Sequence, residues 1–374
     1  MNTQQLRDSC ALKLEASAPR INHIKAFVGL DGFVDEIIHV VDKRTDSENF
    51  QRLPTIKRLA ERMAAAAGKS TNIELITKII KLGGNGPIMA NALASLGLRV
   101  TYLGTLGYPD LHPVFKKFAQ NADVFSVAEA AHTDALEFDD GKLMLGKMVP
   151  LNDMTWANIQ GRFGLEKFTA HFSGSQLVAF VNWTMIPHMS QIWESLLTEI
   201  CPSLSAEKHK IFFDLADPEK RTPADIRHAL ELIERFGRYF EVILGVNEKE
   251  ACEIAKAIGV QVKPLTRDGV SGMALEMASK LSLDTLVVHP VAYAVAVTSG
   301  TVHLVEGPLI EKPVITTGAG DHFNSGFCTG KLLGLSPEES LLCGVSTSGY
   351  YVRTARSPSV LELAGFIRDW PAAA

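Results

Sequence analysis

Short apolar runs and longer amphipathic ones take turns along most of this chain. Runs rich in Val, Ile and Phe and bounded by turn residues predict buried strands over Ala26–Leu30, Val100–Leu103, Leu177–Asn182, Lys210–Leu215, Val242–Leu244 and Thr285–Val288. Between them, helical spacing predicts helices over Leu53–Ala66, Ile88–Leu96, Ile192–Ile200, Ala224–Phe236, Glu248–Ala257 and Met273–Leu281. Three more follow at His322–Leu333, Pro337–Tyr351 and Leu361–Asp369. Strand and helix alternating in this way predict an α/β fold with a mostly parallel sheet covered by helices. Ala292–Val297 and Val302–Val305 flank Ser299-Gly300 and predict a hairpin.

Two regions break the rhythm. Val34–Val41 and Ala135–Met148, the second holding an Asp139-Asp140-Gly141 turn, read as extended segments or a hairpin. Start signals are plain at Ser336-Pro337-Glu338-Glu339, which supplies an N-cap, a proline at the first helical position and acids in the first turn. Gly326, Gly330 and Gly334 recur every fourth residue of one helix. Each costs about 1 kcal/mol relative to alanine, so that face is expected to pack very close to a neighbour.

Composition narrows the class. The 374 residues, 46% hydrophobic and 21% charged, suffice for one large domain with a sizeable core, and no linker or internal repeat divides them. A net charge of −5 without any Lys/Arg cluster argues against a nucleic-acid partner. Cys10, Cys201, Cys252, Cys328 and Cys343 are scattered without metal spacing, so they read as free thiols in a reducing compartment. Met1–Pro19 is polar and mixed in charge, unlike a signal peptide, and no apolar run is long enough to span a bilayer. The expectation is a soluble, cytoplasmic protein with no membrane partner.

The richest chemistry lies in Thr317-Gly318-Ala319-Gly320-Asp321-His322, a small-residue loop entering an apolar helix. A helix N-terminus leaves backbone N–H groups unpaired and favours anions. A phosphate approaching Gly318, Ala319 and Gly320 meets no bulky side chain, and Asp321 beside it is placed to take a proton from an attacking hydroxyl. On these residues alone, a plain turn with a dipole-stabilising aspartate remains an equal reading. An aspartate's solution pKa of about 3.9 would leave Asp321 ionised at neutral pH. Asn247-Glu248-Lys249-Glu250 opens a helix and forms a capping box, with Asn247 at the cap and Glu250 three positions on. Asp31 and Asp35, in Gly29-Leu30-Asp31-Gly32-Phe33-Val34-Asp35, follow a strand, where α/β sheets bind ligands. Either is a candidate acceptor of sugar hydroxyls or an exposed loop acid. Asp214, Asp217, Lys220 and Arg221 follow another strand end and read as a solvated ion pair.

Val314–Gly326, with its Thr-Gly-Ala-Gly-Asp core, resembles the C-terminal signature of the ribokinase-like (PfkB) carbohydrate kinases. Gly83-Gly84-Asn85-Gly86-Pro87 and the helix ending at Leu96-Gly97 resemble that family's N-terminal signature. The resemblance covers nearly the whole chain from Ala26 onward. It implies a three-layer ribokinase-like domain whose small β-sheet lid, here near 34–50 and 132–150, closes over a sugar. It further implies phosphoryl transfer from a nucleoside triphosphate, with ATP as the expected donor, to a hydroxyl of a sugar or sugar-like molecule. Asp321 would be the base and the amides of Gly318, Ala319 and Gly320 the anion hole. Asp35, Asp31, Gly84 and Asn85 would bind the sugar, and Asn247 and Glu250 would organise Mg²⁺. An exposed lid edge would offer a homodimer surface.

Three departures stand against the family pattern. Ile88 occupies a usual asparagine position, with Asn91 three residues on either compensating for it or not; Ile315 replaces the acid that helps hold a monovalent cation, which argues against potassium activation. His289-Pro290-Val291-Ala292-Tyr293 replaces the Thr-x-Gly segment of the nucleotide pocket. His289 and His322 read as structural or pocket-lining. These departures support a competing reading, a non-catalytic sugar- or nucleotide-binding protein derived from such a kinase. A dinucleotide oxidoreductase fails on pattern, because no GxGxxG follows the first strand.

Overall fold

In the computed structural model, which describes residues 3–371, the predicted rhythm becomes two sheets. The larger has nine strands in the order β14-β13-β12-β11-β10-β9-β1-β5-β6. These are β1 (Lys25–Gly29), β5 (Arg99–Gly104), β6 (Asp123–Ser126), β9 (Leu177–Val181), β10 (Lys210–Asp214), β11 (Glu241–Val246), β12 (Thr285–Val288), β13 (Tyr293–Thr298) and β14 (Thr301–Glu306). From β12 to β6 every neighbouring pair is parallel, and β13 and β14 close the sheet as an antiparallel hairpin. Ser299 (φ 50°) and Gly300 (φ 72°) both take the left-handed conformation that a two-residue hairpin turn requires.

Sheet order decides where a ligand can bind. The chain builds outward one way through β5 and β6, and the other way from β9 to β12, so β1 and β9 flank a switch point. The crevice there opens at the carboxyl ends of the strands. Apolar strands are buried on both faces by helices. Phe180, Phe213, Trp193 and Phe236 pack on one side, and Val28, Ala179, Phe212 and Phe327 on the other.

The second sheet runs β3-β2-β7-β8, with β4 also paired to β2. It comprises β2 (Phe33–Arg44), β3 (Phe50–Arg52), β4 (Leu75–Gly83), β7 (Ala131–Phe138) and β8 (Gly141–Lys147). It occupies the two regions that break the strand–helix alternation and adds β4, which the apolar pattern does not single out. Helix Ala319–Leu332 packs on helix Pro337–Thr354 through the glycine face. A Cβ at Gly326 would meet Thr347 Oγ1 and Cys343 O, and one at Gly330 would come within 2.7 Å of Ser340 Cα. Gly334 serves differently: it follows the helix at φ 69° with open space around it. The N-terminal segment, polar in sequence, forms helix Thr3–Ser17 and buries Cys10, Ala11 and Leu14 against the C-terminal helices. All five cysteines are free thiols. Among the described residues, no helix is long and apolar enough to cross a membrane.

Candidate active site

Gly318 caps helix 319–332 in the left-handed conformation (φ 90°), a position that favours glycine, and directs the helix N-terminus into the crevice. The loop is braced from behind. His322 donates from Nδ1 to Gly318 O (2.7 Å), accepts from Ser357 Oγ at Nε2 (2.9 Å) and stacks on Tyr351. Tyr351 in turn donates to Thr317 O (3.0 Å). Burial pulls His322 down to about 4, so it is a neutral brace. The amide of Ala319 donates to Thr316 O (3.1 Å), which commits one of the three loop amides to the turn itself.

Asp321 is buried, and Asn85 Nδ2 donates to its Oδ1 (3.0 Å). The two signatures, far apart in sequence, therefore meet in one hydrogen bond. Burial pushes Asp321 up to about 8, assisted by the charges of Asp31 and Glu250 and opposed by the Asn85 bond. This places Asp321 well above the solution value of about 3.9.

On one side of Asp321 a cavity of about 330 Å³ is lined by Asp35, Gly84, Asn85, Ile88, Asn182 and Gly318, with Thr133, Met144 and Gly146 from the second sheet. Asp35 is held up from the usual carboxylate range by burial, against the pull of Lys81. Its carboxylate packs on Gly83, where any Cβ would collide with it. Asp31 is corrected: it lies behind this cavity, not on its wall. Its Oδ2 accepts from Asn182 Nδ2 (2.7 Å) and the Asn85 amide (3.0 Å), and its Oδ1 accepts from the Gly86 amide (2.9 Å). It anchors the N-terminus of helix Asn85–Leu96 and is not an exposed loop acid. Ile88 packs its methyls near Gly318, and Asn91, three residues further, does not reach the cavity wall.

A smaller cavity of about 150 Å³ lies on the other side, lined by Asp214, Asn247, Glu250, His289, Thr316 and Asp321. The capping box is formed: Glu250 N donates to Asn247 Oδ1 (2.9 Å) and Asn247 N to Glu250 Oε2 (2.8 Å). Glu250 Oε1 accepts from the Asp217 amide (3.0 Å). Asp214 is the main residue that the sequence reading misplaced. It is buried, accepts from Asn324 Nδ2 (2.8 Å), and is driven well up by burial and by its neighbours Glu250 and Asp321. Its place at the carboxyl end of β10 was the available signal. Asn182, at the end of β9, was also missed. It holds φ 61°, and its buried Oδ1 has no hydrogen-bond partner.

Beyond His289 a more apolar cavity of about 340 Å³ is lined by Pro290, Val291, Pro308, Leu309, Phe323 and Val352. His289 stacks on Phe323 at 4.6 Å between centroids, and burial pulls it down to about 4.

Three adjoining cavities therefore meet at Asp321 and the loop before it. The profile of the prokaryotic ketohexokinase family matches residues 2–370. The chain belongs to that family. It is a carbohydrate kinase, a phosphotransferase with an alcohol acceptor, which stands against the non-catalytic binding protein. A ketohexokinase from Haloferax volcanii is 28% identical over 366 residues, spanning 97% of this chain and 95% of that relative. The fold is that of the ribokinase-like proteins. A ribokinase from Arabidopsis thaliana, solved with ribose and ATP, superposes with a TM-score of 0.64 at 16% identity, covering 92% of this chain and 98% of that one. An adenosine kinase from Sinorhizobium meliloti gives 0.62 at 18% identity, covering 92% and 98%.

Proposed function

We propose that this kinase transfers the terminal phosphoryl group of ATP to a hydroxymethyl group of a ketohexose. The supporting observation is the convergence of Asp35, Asn85, Asp321 and the Gly318–Gly320 helix N-terminus on one cavity. Family membership and the Haloferax volcanii relative favour a ketohexose. Asp35 accepts hydrogen bonds from two sugar hydroxyls, and Gly84 lets the sugar approach the backbone. Asp321 takes the proton of the attacking hydroxyl as its oxygen bonds to phosphorus. Asn85 fixes the carboxylate for that transfer. Amides at Gly318, Ala319 and Gly320 stabilise the charge on the moving group, Ala319 after release from Thr316. The apolar cavity beyond His289 takes the nucleobase.

The acids at the smaller cavity fit Mg²⁺. Asp214, Asn247 and Glu250 offer oxygen donors of the kind a hard ion prefers, and Asn324 Oδ1 beside them is buried without a partner. Glu250 already accepts two backbone hydrogen bonds, which suits contact through water. When bound, Mg²⁺ supplies neutralising charge to the triphosphate. Ile315, in place of an acid, argues against a monovalent-cation site.

The test is phosphate transfer from Mg·ATP to a panel of ketohexoses, aldohexoses, pentoses and nucleosides, with ADP and GTP as alternative donors and with and without K⁺. Turnover on a ketohexose that disappears in Asp321→Asn is the expected result. Preference for a nucleoside, or transfer that persists in Asp321→Asn, overturns the assignment.

A further inference from the structure

The turn after β10 is held more firmly than a connection requires. Ala216 (φ 54°) and Asp217 (φ 52°) are consecutive non-glycine residues in the left-handed region, which costs roughly 1 kcal/mol or more for each. Backbone bonds hold them there. The Asp217 amide donates to Glu250 Oε1 (3.0 Å) and the Glu219 amide to Glu253 Oε2 (3.2 Å). Arg221 donates to the carbonyls of Thr184 and Ile186 at 3.0 Å each. This turn presents Asp217 and Lys220 to the acceptor cavity. Among the described residues lining the three cavities around Asp321, Lys220 is the only Lys or Arg. Its one ion-pair partner is Asp217, at 3.3 Å, with the two side chains 49% and 47% exposed. An exposed pair of this kind contributes about 0–1 kcal/mol, too little to hold Lys220 from a stronger anion.

We propose that Lys220 is a catalytic residue of the phosphoryl transfer, its ammonium leaving Asp217 to bind the equatorial oxygens of the moving group. The proposal rests on the kinase reading above. In the step, the bond from phosphorus to the nucleoside diphosphate breaks as the bond to the acceptor oxygen forms. The hydroxyl proton passes to Asp321, and Lys220 keeps its protons throughout. The moving group carries charge on three oxygens, and the other ionisable side chains on the cavity wall, Asp35, Asp217 and Asp321, are acids. Lys220 is the cation this chain supplies against that charge.

Lys220→Met, Lys220→Arg and Asp217→Asn are to be assayed with Mg·ATP and fructose, alongside thermal melts. Lys220→Met is expected to lower kcat about 10²-fold with the KM for fructose changed less than about threefold and the melting temperature unchanged. Lys220→Arg should recover about tenfold of that loss. Asp217→Asn breaks the ion pair, keeps the lysine and suits a left-handed residue, so it should lose at least about tenfold less kcat than Lys220→Met. A kcat for Lys220→Met within about threefold of wild type overturns the proposal. So does an equal loss in Asp217→Asn, which would give the role to the ion pair. A wild-type protein silent on every acceptor overturns the kinase reading, and Lys220 falls with it; an active wild type indifferent to Lys220→Met sinks only the lysine.

Discussion

At the scale of single residues, the proposed chemistry turns on a carboxyl whose identity was plain from sequence and whose state was not. The motif names Asp321; the burial that lifts it to about 8 is assisted by the charges of Asp31, after β1, and Glu250, on the helix after β11, which sequence does not bring together. A base must be deprotonated to act, so kcat/KM is expected to rise with pH and level off above about 8. A profile flat from pH 6 to 9 would remove Asp321 from that role. Stability moves the other way. The folded value exceeds the unfolded one of about 3.9, so folding favours the protonated form. This group's contribution is complete below about 4, shrinks as pH rises, and is lost above about 8. Asp321→Asn has no proton to lose. It should therefore cut turnover at least about 10²-fold while melting above the wild type by a margin that widens from pH 5 to pH 8. Paired melts across that range check the sign.

At the scale of elements, most boundaries were legible because caps and periodicity agree. Helix Glu248–Ala257 forms over the predicted span, and the capping box is in place. Where the sequence failed, the cause is tertiary. Helix Thr3–Ser17 has little apolar character of its own and is fixed by the helices it packs on. Asn247 caps the helix and also stands on the wall of the smaller cavity. Asn247→Ala should cost about 1 kcal/mol in urea unfolding and also raise the Mg²⁺ concentration needed for half-maximal turnover. Asn247→Asp keeps the cap oxygen and should hold wild-type stability. If Asn247→Ala changes stability alone, the residue is only a cap. The glycine face makes a separate demand. Gly326→Ala pushes a methyl into Thr347 and Cys343, for about 1–3 kcal/mol of destabilisation, and helix 319–332 carries the catalytic loop at its other end.

At the scale of the whole molecule, the second sheet is the part the sequence showed least completely. Its segments near residues 34 and 135 stood out as breaks in rhythm, yet β4 did not, because Leu75–Gly83 mixes lysines with apolar residues and lacks clean alternation. The structure gives a reason for that composition. β4 pairs only with β2, and its Ile79 and Ile80, which alternate to opposite faces, are 57% and 55% exposed. On β8, Met144 and Leu145 are about as exposed. An open edge bearing apolar residues is an aggregation hazard unless it is covered. We propose that a second copy of this chain covers it, as the lid edge led us to expect. β2, β7 and β8 supply Asp35, Thr133 and Gly146 to the acceptor cavity, so docking lid to lid would also fix the sugar-binding wall. Light scattering should then report a dimer, and Ile79→Lys with Ile80→Lys should give a monomer. That monomer is expected to show a raised KM for the sugar and an unchanged KM for the nucleotide, since the apolar cavity beyond His289 has no lid residue. A wild-type protein that scatters as a monomer would leave the lid strands to hold their geometry unaided.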